Sequence, residues 1–256
     1  MSRRSPALVA LFALIAFVAC QGTPSAPELT DPKEILVQST ATLADVKSVS
    51  IAGRFDGNVS APGMGEFDLS TLTMAIEADV DAKKARIQVD APSLLGTKAD
   101  VIVVPEGAFI KVTGPLAGMM GLDPTGKYTR QDVDSTDVPD AATDPDKAVE
   151  ELRENIDKLP APPEKLADEK CGDQDCYHVR IALTAEQLAA LSPDAAGQAG
   201  AVTFDVWARK NDLRPAKVSF SIETDQLGTI GGTFEFTYDQ SITIQAPPDS
   251  EVVPGS

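Results

Sequence analysis

Reactive side chains are scarce in this chain, so the few present can be weighed one by one. It holds three cysteines and a single histidine in 256 residues. Cys171 and Cys176 are separated by Gly-Asp-Gln-Asp, a spacing that suits a local disulfide closing a hairpin turn in an oxidising compartment. A metal centre or redox pair would need a second cysteine pair or more histidines at ligand spacing, and His178 stands alone. Hydrolysis would need a nucleophile, a base and a group to orient the base. There is no Gly-x-Ser-x-Gly elbow, and His178 falls on a predicted strand, pointing away from the face of Val179 and Ile181. Asp132, Asp134, Asp137, Asp140, Asp144 and Asp146 lack the spacing and the glycine of an EF-hand loop. They read as a solvated acidic connection, with weak calcium binding the lesser alternative. No catalytic group, metal site or cofactor is expected.

Cys20 has a different setting. Arg3 and Arg4 precede an apolar run from Ala7 to Ala19, which stops at Cys20 and gives way to Gln21-Gly22-Thr23-Pro24-Ser25. This is the plan of a secretory signal peptide, too short and wrongly flanked for a transmembrane helix. Phe17-Val18-Ala19-Cys20 resembles a bacterial lipobox, with Phe17 where leucine is usual. The competing reading is an ordinary signal peptide that happens to end in a cysteine. Acylation by palmitate-type chains would make the mature chain a lipoprotein, each buried methylene adding roughly 0.8 kcal/mol to anchoring. The expected location is the extracytoplasmic face of the cell membrane, on the periplasmic or cell-wall side.

Charge narrows the partners. The formal net charge is −17, and loss of residues 1–19 removes two arginines, leaving −19. Such a chain is repelled by phosphate backbones, which excludes nucleic acid, and it has no polybasic patch for membrane binding. A lipid anchor, and not electrostatics, would hold it at the bilayer. The remaining 237 residues (256 less 19) suit one large domain or two small ones.

The elements follow from periodicity. Residues 21–30, rich in Pro, Ser, Thr and Gly, read as a flexible tether. Asp31-Pro32 reads as N-cap and first residue of a helix ending near Asp45, with Ile35, Leu36, Leu43 and Val46 on its apolar stripe. Alternation then predicts strands around Val49–Phe55, Leu72–Val80, Ile87–Val89, Ala99–Val104, Phe109–Val112 and Tyr128–Asp132. Leu116, Met119, Met120 and Leu122 lie among the breakers Gly114, Pro115, Gly118, Gly121 and Pro124. This segment is either a loop tucked on the core or a lid over an apolar space. A second helix is predicted from Asp144-Pro145 to Leu159, and a short one from Ala185 to Leu191 behind the capping box Thr184-Ala185-Glu186-Gln187. Strands are predicted at Tyr177–Leu183, Val202–Ala208, Ala216–Glu223, Thr229–Tyr238 and Ile242–Gln245, and disorder from Pro248 to Ser256.

In this order the segments resemble the LppX/LprA/LprF/LprG family of bacterial lipoproteins, whose fold is related to the LolA and LolB carriers. The resemblance rests on the lipobox and tether, the helix from Pro32 leading into Val46-Lys47-Ser48-Val49, and the strands of residues 66–90. It continues with Pro105-Glu106-Gly107-Ala108-Phe109-Ile110-Lys111, Gly126-Lys127-Tyr128, Phe204-Asp205-Val206-Trp207-Ala208-Arg209-Lys210 and Leu213-Arg214-Pro215-Ala216-Lys217-Val218. It covers essentially the whole mature chain as an ordered pattern, without one strong motif.

The resemblance implies an α+β fold: a single highly curved antiparallel sheet, a half-barrel of about eleven strands, with helices covering the concave face. The implied domain runs from 31 to 247, after a signal peptide (1–19) and an acylated cysteine with tether (20–30). It further implies a monomer that binds multi-acylated lipids, of glycolipid or phospholipid type, in an apolar cavity, and moves them between envelope layers with supply from a membrane exporter. Aromatic residues make up only 5% of the chain, so a wide sheet could curve around space that its side chains leave unfilled. Expected cavity or lid residues are Ile51, Met74, Ile76, Ile87, Val89, Ile110, Val112, Met119 and Met120. Plain core packing is the alternative for each. The alternative for the whole protein is a non-enzymatic envelope scaffold or sensor that binds a protein partner.

Overall fold

The computed structural model describes residues 28–61, 65–119, 123, 125–131, 145–191, 200–224 and 228–253. Helix α1 (Pro32–Ala41) begins as its sequence dictates. The Asp31 carboxylate accepts from the backbone N–H groups of Lys33 (2.8 Å) and Glu34 (3.3 Å), and Pro32 takes a position where its missing N–H costs nothing. A 3-10 turn (Thr42–Asp45) leads into β1 (Ser48–Asp56). A small hairpin follows, β2 (Asn58–Ala61) with β3 (Gly65–Asp68), which forms its own two-stranded ladder.

The chain then meanders through β4 (Thr73–Asp79), β5 (Lys84–Ala91), β6 (Thr97–Val104), β7 (Gly107–Thr113), the four-residue helix α2 (Leu116–Met119) and β8 (Thr129–Gln131). Helix α3 (Pro145–Asp157) precedes β9 (Glu164–Lys165), β10 (Glu169–Cys171) and β11 (Gln174–Leu183). Helix α4 (Ala185–Leu191), β12 (Val202–Arg209), β13 (Pro215–Thr224) and β14 (Gly228–Tyr238) complete the order. The capping box of α4 is reciprocal: Gln187 N–H donates to Thr184 Oγ1 (3.3 Å), and Thr184 N–H to Gln187 Oε1 (2.9 Å). Cys171 and Cys176 are joined by a disulfide across the β10–β11 turn, their Cα atoms 6.0 Å apart.

Among the described residues twelve strands form one antiparallel sheet that does not close. Its order is β10-β11-β12-β13-β14-β1-β4-β5-β6-β7-β8, with β9 paired to β11. The α+β half-barrel expected from the sequence is therefore the fold. Its centre is a seam between β1 and β14, which joins the two ends of the chain. Helix α1 packs on β11 and β12 and against α3; Ile35 and Val179 are completely buried, and Leu183, Val202 and Ala208 nearly so.

Three expectations need correction. Residues 242–245 form no strand; Ile242 and Ile244 instead pack beside Ile102, Val104, Phe109 and Tyr128. The chain is also ordered past Pro248: Tyr128 N–H donates to the Glu251 carbonyl and Val253 N–H to the Tyr128 carbonyl, both at 2.8 Å. Those two backbone bonds and the burial of Val252 against the cluster tie down a segment that proline content alone made look loose. Finally, His178 faces away from Val179 as expected, but it is only 5% exposed.

Candidate functional site: an open apolar sheet face

The register turns separate alternations into one surface. Ile51 pairs with Ile76, Ile76 with Ile87, Ile87 with Val101, and Val101 with Ile110; on the other side Ile51 pairs with Phe236. The next rung runs Val179, Val206, Val218, Phe234, Gly53, Met74, Val89, Ala99 and Val112. Residues two apart on a strand share a face, so both rungs lie on the same side of the sheet. The structure thus brings together Ile51, Met74, Ile76, Ile87, Val89, Ile110 and Val112. Val112 is buried and the other six are half-buried. Met119 is the last residue of α2, and Met120 lies outside the described residues.

The second half of the chain contributes as much to this face, which the residue list from the sequence missed. Phe55, Phe220 and Phe234 form a cluster, with Phe55 edge-on to Phe234 at 5.7 Å and to Phe220 at 6.4 Å, and Phe220 and Phe234 stacked at 6.1 Å. Phe236 stacks on Tyr238 at 6.3 Å. Gly232 makes the cluster possible, since a Cβ there would lie 2.5 Å from the Phe220 ring and 3.3 Å from the Phe55 ring. The signal was present in Phe234-Glu235-Phe236-Thr237-Tyr238, an alternation as regular as that of β4.

Coverage is uneven. Toward α1 Val179, Leu183, Val202 and Ala208 are buried, with Ile181, Phe204 and Val206 half-buried beside them, whereas from β13 across the seam to β6 the apolar side chains, among them Val218, Phe220, Phe234, Phe236, Ile76 and Val101, are half-buried. These apolar side chains form one continuous run that stays partly in contact with water, the kind of surface that marks a ligand or interaction site. Among the described residues of β13, β14, β1 and β4 to β7 it carries no carboxylate, histidine, cysteine or lysine, and its titratable group is the Tyr238 phenol. Its chemistry is solvation alone: it can accept a ligand that water rejects.

The opposite face is mixed: at β6 to β8 it carries the buried cluster of Ile102, Val104, Phe109 and Tyr128, and beside that cluster its polar groups are internally paired. Arg86 holds Asp100 through two hydrogen bonds (3.0 and 2.7 Å), and the Tyr128 hydroxyl donates to the same carboxylate at 2.9 Å. Burial alone would raise the Asp100 carboxyl, but the bonds from Arg86 and Tyr128 outweigh it and hold it below the usual carboxylate range. Burial, and then the Asp100 acceptor, push the Tyr128 phenol up to about 12. A hollow of about 520 Å³ lies here, lined by Thr73, Gln88, Asp90, Lys98, Asp100 and Lys111 among others. Its polar side chains lie across the sheet from the apolar ladders, and Met74, Val89 and Ala99 of the apolar rung also line it.

A second polar knot sits on β10–β13. His178 Nδ1 lies 3.1 Å from Glu169 Oε1 and Nε2 lies 2.7 Å from Asp205 Oδ1, while Arg180 Nε donates to Asp205 at 2.9 Å. The imidazole stacks on Trp207 at 4.3 Å, and the indole N–H donates to Glu169 at 3.0 Å. That hydrogen bond above all holds the Glu169 carboxyl below its ordinary value. Lys217 Nζ stands 3.6 Å from the centre of the indole ring. Both nitrogens of the sole histidine are thus occupied by structural partners. Among the described residues, no group of three or more His, Cys, Asp or Glu side chains is placed to hold a metal ion. Nor is any helix among them long and apolar enough to cross a membrane.

Together these features define a class by fold: an open antiparallel half-barrel with helices over one end of a continuous apolar face. LprF from Mycobacterium bovis has this fold, with a TM-score of 0.51 at 11% identity over 84% of this chain and 96% of that one. The lipoprotein LppX of Mycobacterium tuberculosis aligns with a TM-score of 0.48 at 11% identity, over 84% of this chain and 98% of that one. A chain of the Pseudomonas aeruginosa MucA/MucB complex gives 0.37 at 14%, over 86% and 60%. At these identities the likeness is one of fold. No protein-family model and no curated protein matches the sequence.

Proposed function

We propose that this protein is an envelope lipoprotein that binds multi-acylated lipid on the apolar face of its half-barrel and carries it between membrane and envelope layers without catalysis. The observation that supports this is the half-buried apolar surface running from β13 through the β1–β14 seam to β7. Acyl chains leaving a bilayer exchange one apolar surrounding for another, so transfer onto such a face has little net hydrophobic cost. The lipid head group stays at the edge of the face, in water. Cys20, acylated, holds the mature chain at the extracytoplasmic surface, and residues 20–30 give the domain reach. Delivery depends on relative affinity and on supply from a membrane exporter, and the carrier works as a monomer.

Native mass spectrometry with organic extraction tests the reading, on a Cys20→Ser form purified from a lipid-rich host. A stoichiometric acyl lipid that leaves on extraction is the expected result. A bare protein mass, unshifted after incubation with mixed lipid extracts, would overturn lipid carriage and favour a scaffold that binds a protein.

A further inference from the structure

We infer that the turn between β5 and β6, with Leu95 at its tip, is the point at which the domain docks on a lipid bilayer. This inference rests on the carrier reading for its purpose and on separate observations for its site. Leu95 is the most exposed large apolar side chain among the described residues, at 60%. It also has φ +57°, a left-handed backbone conformation that costs a branched side chain and suits glycine.

The other non-glycine residues in that conformation have ordinary reasons for it. Lys83 is a polar residue in the turn between β4 and β5, Asp239 follows β14 with its carboxylate held by Arg214 and the Lys47 N–H, and Leu213 is half-buried, so packing offsets its strain. Leu95 has strain without burial. Gly96, which follows it, is itself left-handed at φ +71°, so the turn has two left-handed positions and a glycine at only one of them.

The tip is held rigid. Gly96 N–H donates to the Pro92 carbonyl (2.9 Å), Thr97 N–H to the Leu94 carbonyl (3.1 Å), and Ser93 Oγ to the Asp68 carbonyl (2.6 Å). These bonds shape the backbone that carries Leu95 at the exposed tip. Its place in the fold gives it a direction. Ala91, which pairs with Thr97 at the base of the turn, stands on the apolar face two residues beyond Val89. Gly114 lies against Thr97, where an added Cβ would come within 3.1 Å of the Thr97 Cα, so the exposed Pro115 sits on the neighbouring turn. From the Met74–Val89–Ala99–Val112 rung the turn is one step along the strands, through Ala91 and Thr97.

A bilayer fits better than a charged partner. A tether of residues 20–30 spans at most about 40 Å, which keeps the domain within reach of the membrane that anchors Cys20. The net charge of −19 left without residues 1–19 disfavours anionic surfaces, so the occupant is a neutral or zwitterionic lipid surface entered by an apolar tip.

The test uses the chain from Gln21, because Asp31–Ser256 is a compact unit in its own right. An environment-sensitive fluorophore is attached to Leu95→Cys and, in a second protein, to Glu106→Cys on the exposed turn between β6 and β7, with the native disulfide left oxidised. Phosphatidylcholine vesicles should blue-shift and brighten the probe at 95 several-fold and leave that at 106 unchanged. No response at 95, or equal responses at both positions, overturns the inference. A companion variant, Leu95→Gly, should raise the melting temperature yet slow transfer of a fluorescent phospholipid between vesicles about tenfold; unchanged transfer overturns the inference. Lipid content by mass spectrometry on the same proteins separates the two readings. A probe at 95 that enters vesicles while no lipid is carried leaves docking standing and removes carriage, and a lipid-loaded protein with a silent tip does the reverse.

Discussion

Whether the apolar face is a ligand surface or a filled core can be decided by comparing Ile87→Ala with Val179→Ala in lipid-free protein. Val179 is completely buried beneath α1. Its truncation removes two carbons from a closed space, losing about 1.6 kcal/mol of transfer energy plus a cavity term, for about 2.5 kcal/mol in all. Ile87 loses three carbons, which would cost about 3 to 4 kcal/mol in a sealed core. It is only half-buried, between Ile76 and Val101, so about half of the 2.4 kcal/mol transfer energy is at stake and no closed cavity forms. The expected loss is about 1.2 kcal/mol. Urea denaturation, followed through Trp207, measures both losses. The larger truncation should thus give the smaller loss. If Ile87→Ala costs as much as Val179→Ala or more, the face is a packed core and the case for a lipid-lined surface falls. Added lipid should stabilise the parent protein and do so less for Ile87→Ala, since only a ligand-contacting residue contributes to that linkage.

Three further outcomes follow from the polar face and the hairpin. Asp100→Asn should cost about 2 kcal/mol at pH 7 by removing the ionic acceptor shared by Arg86 and Tyr128. The folded carboxyl lies below its unfolded value, so that contribution is complete above the ordinary carboxylate range and is lost as pH falls through the folded value; the difference between parent and variant in urea should shrink by pH 3. His178→Ala should lose about 2 to 3 kcal/mol in the same assay, because it leaves Asp205, whose side chain is 13% exposed, without one of its hydrogen-bond partners. Replacing both Cys171 and Cys176 with alanine should lower the unfolding free energy by about 2 kcal/mol, the low end for disulfides, since the loop closed is short; calorimetry under non-reducing conditions reads the difference.

Local grammar made much of this legible. Asp31-Pro32, Thr184 to Gln187 and the Cys171–Cys176 turn each act through bonds a few residues apart, so a sequence window contains the whole interaction. Alternation also placed Ile51, Met74, Ile76, Ile87, Val89, Ile110 and Val112 on one face. It could not rank that face against the aromatic strands, because the Phe55–Phe220–Phe234 cluster depends on β1 meeting β14, a pairing between opposite ends of the chain. The same limit explains Ile242 and Ile244. Their alternation reads as a strand, but the structure uses it to cover Ile102 and Phe109 without a ladder. Likewise the bonds from Tyr128 that order Glu251 and Val253 join residues far apart in sequence, where composition carries no information.

The β1–β14 seam also sets an order of events. Synthesis makes β1 early and β14 late, yet their eight-residue register forms the middle of the sheet. Until residue 238 has been made, β1 has β4 on one side and a bare edge on the other, a row of unpaired backbone groups. Such an edge can recruit a strand from another nascent chain. The pairing that completes the apolar face is thus the last to become available. A chain cut short before β14 would lose its central strand pair and expose a template for aggregation.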